Sequence, residues 1–150
     1  MSSLQIILPR AGKLYKAQAA VNDFNRNILK VETGTHQVVS LVEDRKLTPR
    51  LLPVDRMTAR TDHLKEELNE LIGAYVAGDL AETTDGLIDI IYIALGALSE
   101  MHVNASLAFD EVHDANMRKV NGRVAKRPNA GLHDAVKPEG WTGPDYSKVL

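Results

Sequence analysis

The chain has 150 residues, 44% of them hydrophobic and 25% charged, which suits one globular domain with a packed core rather than two domains. Its formal net charge of −2 gives no bulk attraction to nucleic acid or to an acidic membrane, so an anionic ligand must be held by a local cluster or through a metal. The absence of cysteine excludes disulfides, thiolate metal sites and a cysteine nucleophile.

The opening MSSLQIILPR lacks the long apolar core of a signal peptide. The longest apolar run, Leu87 to Leu98, falls short of the ~20 residues needed to cross a bilayer. A cytoplasmic protein with neither a membrane nor a nucleic-acid partner is therefore expected. From Lys13 to Lys30, Leu14, Ala17, Val21, Phe24 and Ile28 recur at spacings of three and four and predict an amphipathic first helix. Residues 31–55 contain ETGTH, Pro49 and Pro53 around a β-prone VVSLV and read as a loop or a brief excursion. A second helix is predicted from about Thr58 to Ala77, with Leu64, Leu68, Leu71, Ile72 and Tyr75 as its apolar stripe, ended by Gly78-Asp79. The third runs from about Leu80 to Met101. Ser106 can cap a fourth that reaches about Val120. Pro128, Gly131, Pro138, Gly140, Gly143 and Pro144 then mark an irregular tail. The expected fold is all-α: one domain over 1–150, a bundle of four to five helices with its core at about 58–120 and a tail at 121–150. Short connections between the last three helices favour antiparallel neighbours.

At roughly 100° per residue, Glu67 and Glu70 fall on one side of the second helix, while Glu82, Asp85 and Asp89 share an arc about 60° wide on the third. A solvated face is the bland explanation of such charge. Against it, these two helices carry only Lys65 and no arginine after Arg60 to offset the acids. Carboxylate oxygens from adjacent helices are also what magnesium or manganese takes, with waters kept for a phosphate substrate. On the fourth helix, Asn116 and Lys119 share a side with Phe109, Val112 and Val120, whereas Asp110, Glu111, Asp114 and Arg118 point the other way. Beside a metal-carboxylate cluster that pair reads as a phosphate clamp. Alone, it reads equally well as a snorkelling lysine and a capping amide.

The pattern Glu67-x-x-Glu70, a spacer of eleven residues, Glu82-x-x-Asp85, then DIIYIALGAL and EVHDANMRKV, resembles the MazG-like all-α nucleoside triphosphate pyrophosphatases, and in particular their phosphoribosyl-ATP pyrophosphohydrolase-like branch. The likeness covers about Thr58 to Tyr146, including KPEGWTGPD, and weakly the first helix, where Asn25 stands in place of a histidine frequent in relatives. The resemblance implies hydrolysis of a nucleoside triphosphate between the α and β phosphates. Glu66, Glu67, Glu70, Glu82 and Asp85 would hold Mg²⁺, with Mn²⁺ able to substitute. Glu67 would take the proton from the attacking water, Asn116 and Lys119 would contact phosphate oxygens, and Asp89 would serve as outer ligand or nucleoside contact. It also implies a homodimer or dimer of dimers, in keeping with the wide apolar arc of the third helix. Trp141 is expected to pin the tail in place rather than stack on a base. The readings left beside pool cleansing of dUTP or a modified nucleotide are the enzyme acting on phosphoribosyl-ATP, a non-catalytic nucleotide or metal sensor, and a plain helical oligomerisation module.

Overall fold

Pro53, read from sequence as part of a loop, is where the longest helix starts. In the computed structural model, which describes residues 13–33, 48–127, 131 and 134–150, α2 (Val54–Val76) has Pro53 at its N-cap, and Met57 N–H donates to the Pro53 carbonyl at 2.9 Å. Proline has its φ preset and lacks only an N–H that a helix start leaves unbonded, so the helix begins four residues before the predicted Thr58. The other elements among the described residues are α1 (Tyr15–Phe24), α3 (Leu80–Glu100), α4 (Ala105–Met117), a two-stranded antiparallel sheet of β1 (Val120–Gly122) and β2 (Asp134–Val136), and two short helical turns, Asn25–Leu29 and Tyr146–Lys148. The fold is all-α, as expected. VVSLV lies outside the described residues. No single described helix is long and apolar enough to cross a membrane.

Two compact units divide the chain: Leu14–Ala105, and Ser106–Leu150 together with Lys13. In the first, α2 and α3 pack most extensively. Their connection closes on Gly78, in the left-handed region at φ +73°, with Asp79 N–H bonded to the Ala74 carbonyl at 3.0 Å. The Asp79 carboxylate then caps α3 by accepting from Glu82 N–H at 3.0 Å. Gly86 lets the two helices approach closely, since a Cβ there would stand 3.1 Å from that of Leu71. Arg60 sits against Gly96 further along, so the helices run antiparallel.

The buried face of α1 differs from the predicted stripe. Leu14 and Val21 turn inward as expected, but Ala17, Phe24 and Ile28 are exposed and Gln18 and Asn25 are buried in their stead. The reason is hydrogen bonding. Gln18 Nε2 donates to the Val103 carbonyl at 2.8 Å and to Ser99 Oγ at 3.2 Å, while its Oε1 accepts from Ala105 N–H at 2.9 Å. One amide thus satisfies the turn between α3 and α4, where buried backbone groups need partners. α1 runs into a π-helical turn, Asn25–Leu29, which ends at Lys30 with φ 56°. Val21, Leu95 and Ala105 form the apolar core, with Leu14, Tyr92 and Leu98 against it.

In the second unit the predicted clamp helix is shorter than expected. α4 stops at Met117, so Lys119 and Val120 lie beyond it, and Val120 belongs to β1. The buried position of its last turns is Ala115, at 1% exposure, and Asn116 is exposed. The small Ala115 leaves room for Trp141, whose Nε1 donates to the Ala115 carbonyl at 2.8 Å. Trp141 therefore pins the tail to α4. The tail is less irregular than predicted because Gly122 lets β1 pair with β2: a Cβ at Gly122 would meet Val136 Cγ2 at 2.7 Å.

Candidate active site

A cavity of about 1090 Å³ opens within the first unit, between Phe24, Asn25 and Leu29 of the α1 end, a long stretch of α2, and Asp89, Tyr92 and Ile93 of α3. It is just above ~300–1,000 Å³, the usual range for small-molecule sites. One wall is aromatic: Phe24 and Tyr92 meet edge to face, with centroids 5.5 Å apart and planes at 82°.

The acidic side of the cavity carries Asp62, Glu66, Glu67 and Asp89. Glu67 is mostly buried, its side chain 14% exposed, and its Oε1 lies 3.3 Å from His63 Nε2. Asp89 is half-buried. Lys65, the cation nearest in sequence, is paired with Asp62 at 3.0 Å. Glu70, Glu82 and Asp85 are exposed on the same two helices and do not line the cavity. The donor set suits a hard divalent cation: carboxylate oxygens from two packed helices, with no lysine or arginine paired to Glu66, Glu67, Glu70, Glu82, Asp85 or Asp89 among the described residues. Yet among the described residues no three histidine, aspartate or glutamate side chains converge on one point. Like charges on one surface favour splayed rotamers, and exposed carboxylates can change rotamer at little cost.

At the other end of the cavity lies a polar network that sequence reasoning missed. Glu100, 4% exposed, accepts from Arg56 Nε at 2.7 Å and Nη2 at 2.8 Å, and from Arg60 Nε at 2.8 Å and Nη2. Asn25 joins it: its Nδ2 donates to the Gly96 carbonyl at 3.2 Å and its Oδ1 faces Arg60 Nη2 at 3.4 Å. Burial opposes ionisation of Glu100, but the hydrogen bonds from Arg56 and Arg60 and their charges outweigh it, holding the carboxyl below the ordinary glutamate range. The Glu100 hydrogen bond in turn raises the Arg56 pKa. Asp55 also acts on Arg56, raising its pKa further, so both guanidiniums of this end of the cavity sit beside carboxylates. The signal was present in the sequence: Arg60 falls on the apolar stripe it shares with Leu64 and Leu71, where an arginine needs a buried partner.

In the second unit, Lys119 is half-buried and its Nζ donates to Asn116 Oδ1 at 2.8 Å. The two clamp candidates therefore touch each other, with Lys119 also 5.5 Å from the centre of the Trp141 ring. His113 stacks on Phe109.

A family model described as phosphoribosyl-ATP pyrophosphohydrolase matches residues 37–116, more than half of the chain. The chain belongs to this family. The phosphoribosyl-ATP pyrophosphohydrolase family lies within the MazG-like all-α nucleoside triphosphate pyrophosphatase superfamily, so the protein is a pyrophosphohydrolase acting on a nucleotide triphosphate. The matched region takes in α2, α3 and nearly all of α4, hence every acid of the two motifs and Asn116, and leaves out α1, Lys119 and Trp141. No curated protein matches the chain.

Proposed function

We propose that the protein hydrolyses a nucleoside or deoxynucleoside triphosphate between the α and β phosphates, releasing a monophosphate and pyrophosphate, and that its role is to cleanse the nucleotide pool of dUTP or a modified nucleotide. The observation that carries this reading is the family match laid over a cavity that has carboxylates on one side and the Phe24–Tyr92 wall on another. Glu66, Glu67, Glu70, Glu82 and Asp85 would hold Mg²⁺ or Mn²⁺. Once bound, the metal supplies charge neutralisation of the triphosphate and acidification of a water. Glu67, oriented by His63, takes the proton from the attacking water. Phe24 and Tyr92 give the base an apolar surface, and Asp89 contacts the nucleoside or an outer metal position. Asn116 and Lys119 supply donors for phosphate oxygens as charge develops. The apolar faces left open on α2 and α3 favour pairing with a second copy, as a homodimer or a dimer of dimers.

The family description supports a second substrate, phosphoribosyl-ATP, at least as well. The two guanidiniums of Arg56 and Arg60 in the cavity lining favour it too, because that nucleotide carries an extra phosphate far from the triphosphate. A panel of standard and modified nucleoside triphosphates and phosphoribosyl-ATP, each with magnesium and scored for pyrophosphate, separates the two. Release of diphosphate and single phosphate would remove cleavage between α and β phosphates.

A further inference from the structure

Two lysines lie over one indole on the C-terminal unit with only neutral groups to hold them. Lys137 Nζ lies 4.6 Å from the centre of the Trp141 ring and Lys119 Nζ lies 5.5 Å from it. The indole is fixed by its bond to the Ala115 carbonyl. One residue on, the Thr142 carbonyl accepts from Arg118 Nη2 at 3.2 Å. None of Arg118, Lys119 and Lys137 is within ion-pair distance of a carboxylate among the described residues. Lys119 has the Asn116 amide oxygen as an acceptor. Lys137 is exposed and has no hydrogen-bond acceptor among the described residues.

The two ammonium nitrogens are no more than about 10 Å apart, the sum of their distances to the ring centre. The indole holds both cations through its ring, and neither ammonium has a carboxylate within ion-pair distance among the described residues. An anion with more than one charged centre can meet both ammoniums at once. A diphosphate spans more of that distance than a single phosphate does.

We propose that Lys137 joins Lys119 in a diphosphate-binding site on the C-terminal unit, with Trp141 as the positioning residue that holds both ammoniums. Its ligand is released inorganic pyrophosphate, an identification that rests on the function proposed above. The site extends the clamp read from the sequence by a residue that lies outside the family match.

Trp141 is the only tryptophan in the chain, so its fluorescence reports on this site alone. Inorganic pyrophosphate titrated into the whole protein, with chelator present to remove metal, should give a saturable change, and orthophosphate a much weaker one. Lys137→Met should weaken pyrophosphate binding by about tenfold, the scale of one charge-assisted hydrogen bond, and Lys137→Arg should restore most of it. Trp141→Phe, followed by calorimetry, should weaken pyrophosphate binding per folded molecule; a lower melting temperature with unchanged affinity would make Trp141 structural only. No saturable signal in the wild type, equal affinity for orthophosphate, or unchanged affinity in Lys137→Met overturns the site. Nucleotide turnover measured on the same proteins keeps the two ideas apart. Normal turnover without pyrophosphate binding at Trp141 sinks only the site. Pyrophosphate binding without turnover of any nucleotide leaves the site and sinks the proposed function.

Discussion

Gly96 packs against the guanidinium of Arg60: a methyl group on Gly96 would stand 3.1 Å from both Nη1 and Nη2. Arg60 has little room to yield, because Glu100 and Asn25 hold it from other sides and it is 6% exposed. Alanine normally improves a helix interior by roughly 1 kcal/mol over glycine. Here crowding should win, and Gly96→Ala should lower stability by up to about 2 kcal/mol net, the scale of overpacking less that gain. A denaturant midpoint equal to or above the wild type would show that the guanidinium moves freely.

Glu100 should make stability acid-sensitive. Its carboxyl is held below the ordinary range by Arg56 and Arg60 against the opposing effect of burial, so the native state favours the ionised form. That contribution is fully present above the unfolded glutamate pKa of about 4.3 and is lost as pH falls through the lower folded value. Glu100→Gln leaves two arginines facing a neutral amide and should cost about 3 to 5 kcal/mol at neutral pH. The variant should also lose part of the acid limb. Urea unfolding from pH 7 down to about pH 3 checks both; parallel acid limbs in wild type and variant would assign the sensitivity to other groups.

Catalysis should fail when either acidic motif is broken. Glu70→Ala and Asp85→Ala each remove an exposed carboxylate from a helix already stabilised by other contacts, so both variants should fold. Pyrophosphate release under saturating magnesium should drop to background. Without metal, relief of like-charge repulsion should leave the melting temperature unchanged or slightly higher. Near-normal turnover by either variant would strike that residue from the proposed metal set.

The open faces of α2 and α3 lead to a prediction about assembly. Leu68, Ile72 and Tyr75 on α2 and Leu80, Leu87 and Ile91 on α3 are large apolar side chains, each 48% exposed or more. Their spacings of three, four and seven put them on one face of each helix. If a second copy covers this surface, Ile91→Glu should convert the protein to monomers by light scattering at micromolar concentration. A wild type that is itself monomeric there would dismiss the idea.

The four helices could be read from the sequence because Gly78, Asp79 and the repeating leucines and isoleucines are local signals. The acid stripe of α3 was equally legible, since its angles depend only on helix geometry. The face of α1 was not. Apolar periodicity put Phe24 and Ile28 inside, whereas the bonds that Gln18 and Asn25 make to Val103, Ala105 and Gly96 span 71 to 87 residues of sequence and leave no local trace. Lys119 was misplaced for a related reason: the helix carrying its angle ends at Met117. The Arg56–Glu100–Arg60 network could have been suspected from an arginine on an apolar stripe, but its partner could not be identified without the crossing of α2 and α3.

The pairing of Leu71 with Gly86 and of Arg60 with Gly96 fixes the alignment of α2 and α3 without help from the turn at 77–79. Counting from those contacts, Glu67 stands level with Asp89, and Glu70 is about level with the Asp85 to Leu87 segment. The eleven residues between Glu70 and Glu82 are therefore slack rather than a ruler. Extra turns of helix or longer hairpin tips could be inserted during evolution, or by an engineer grafting a peptide there, while the acids keep their height.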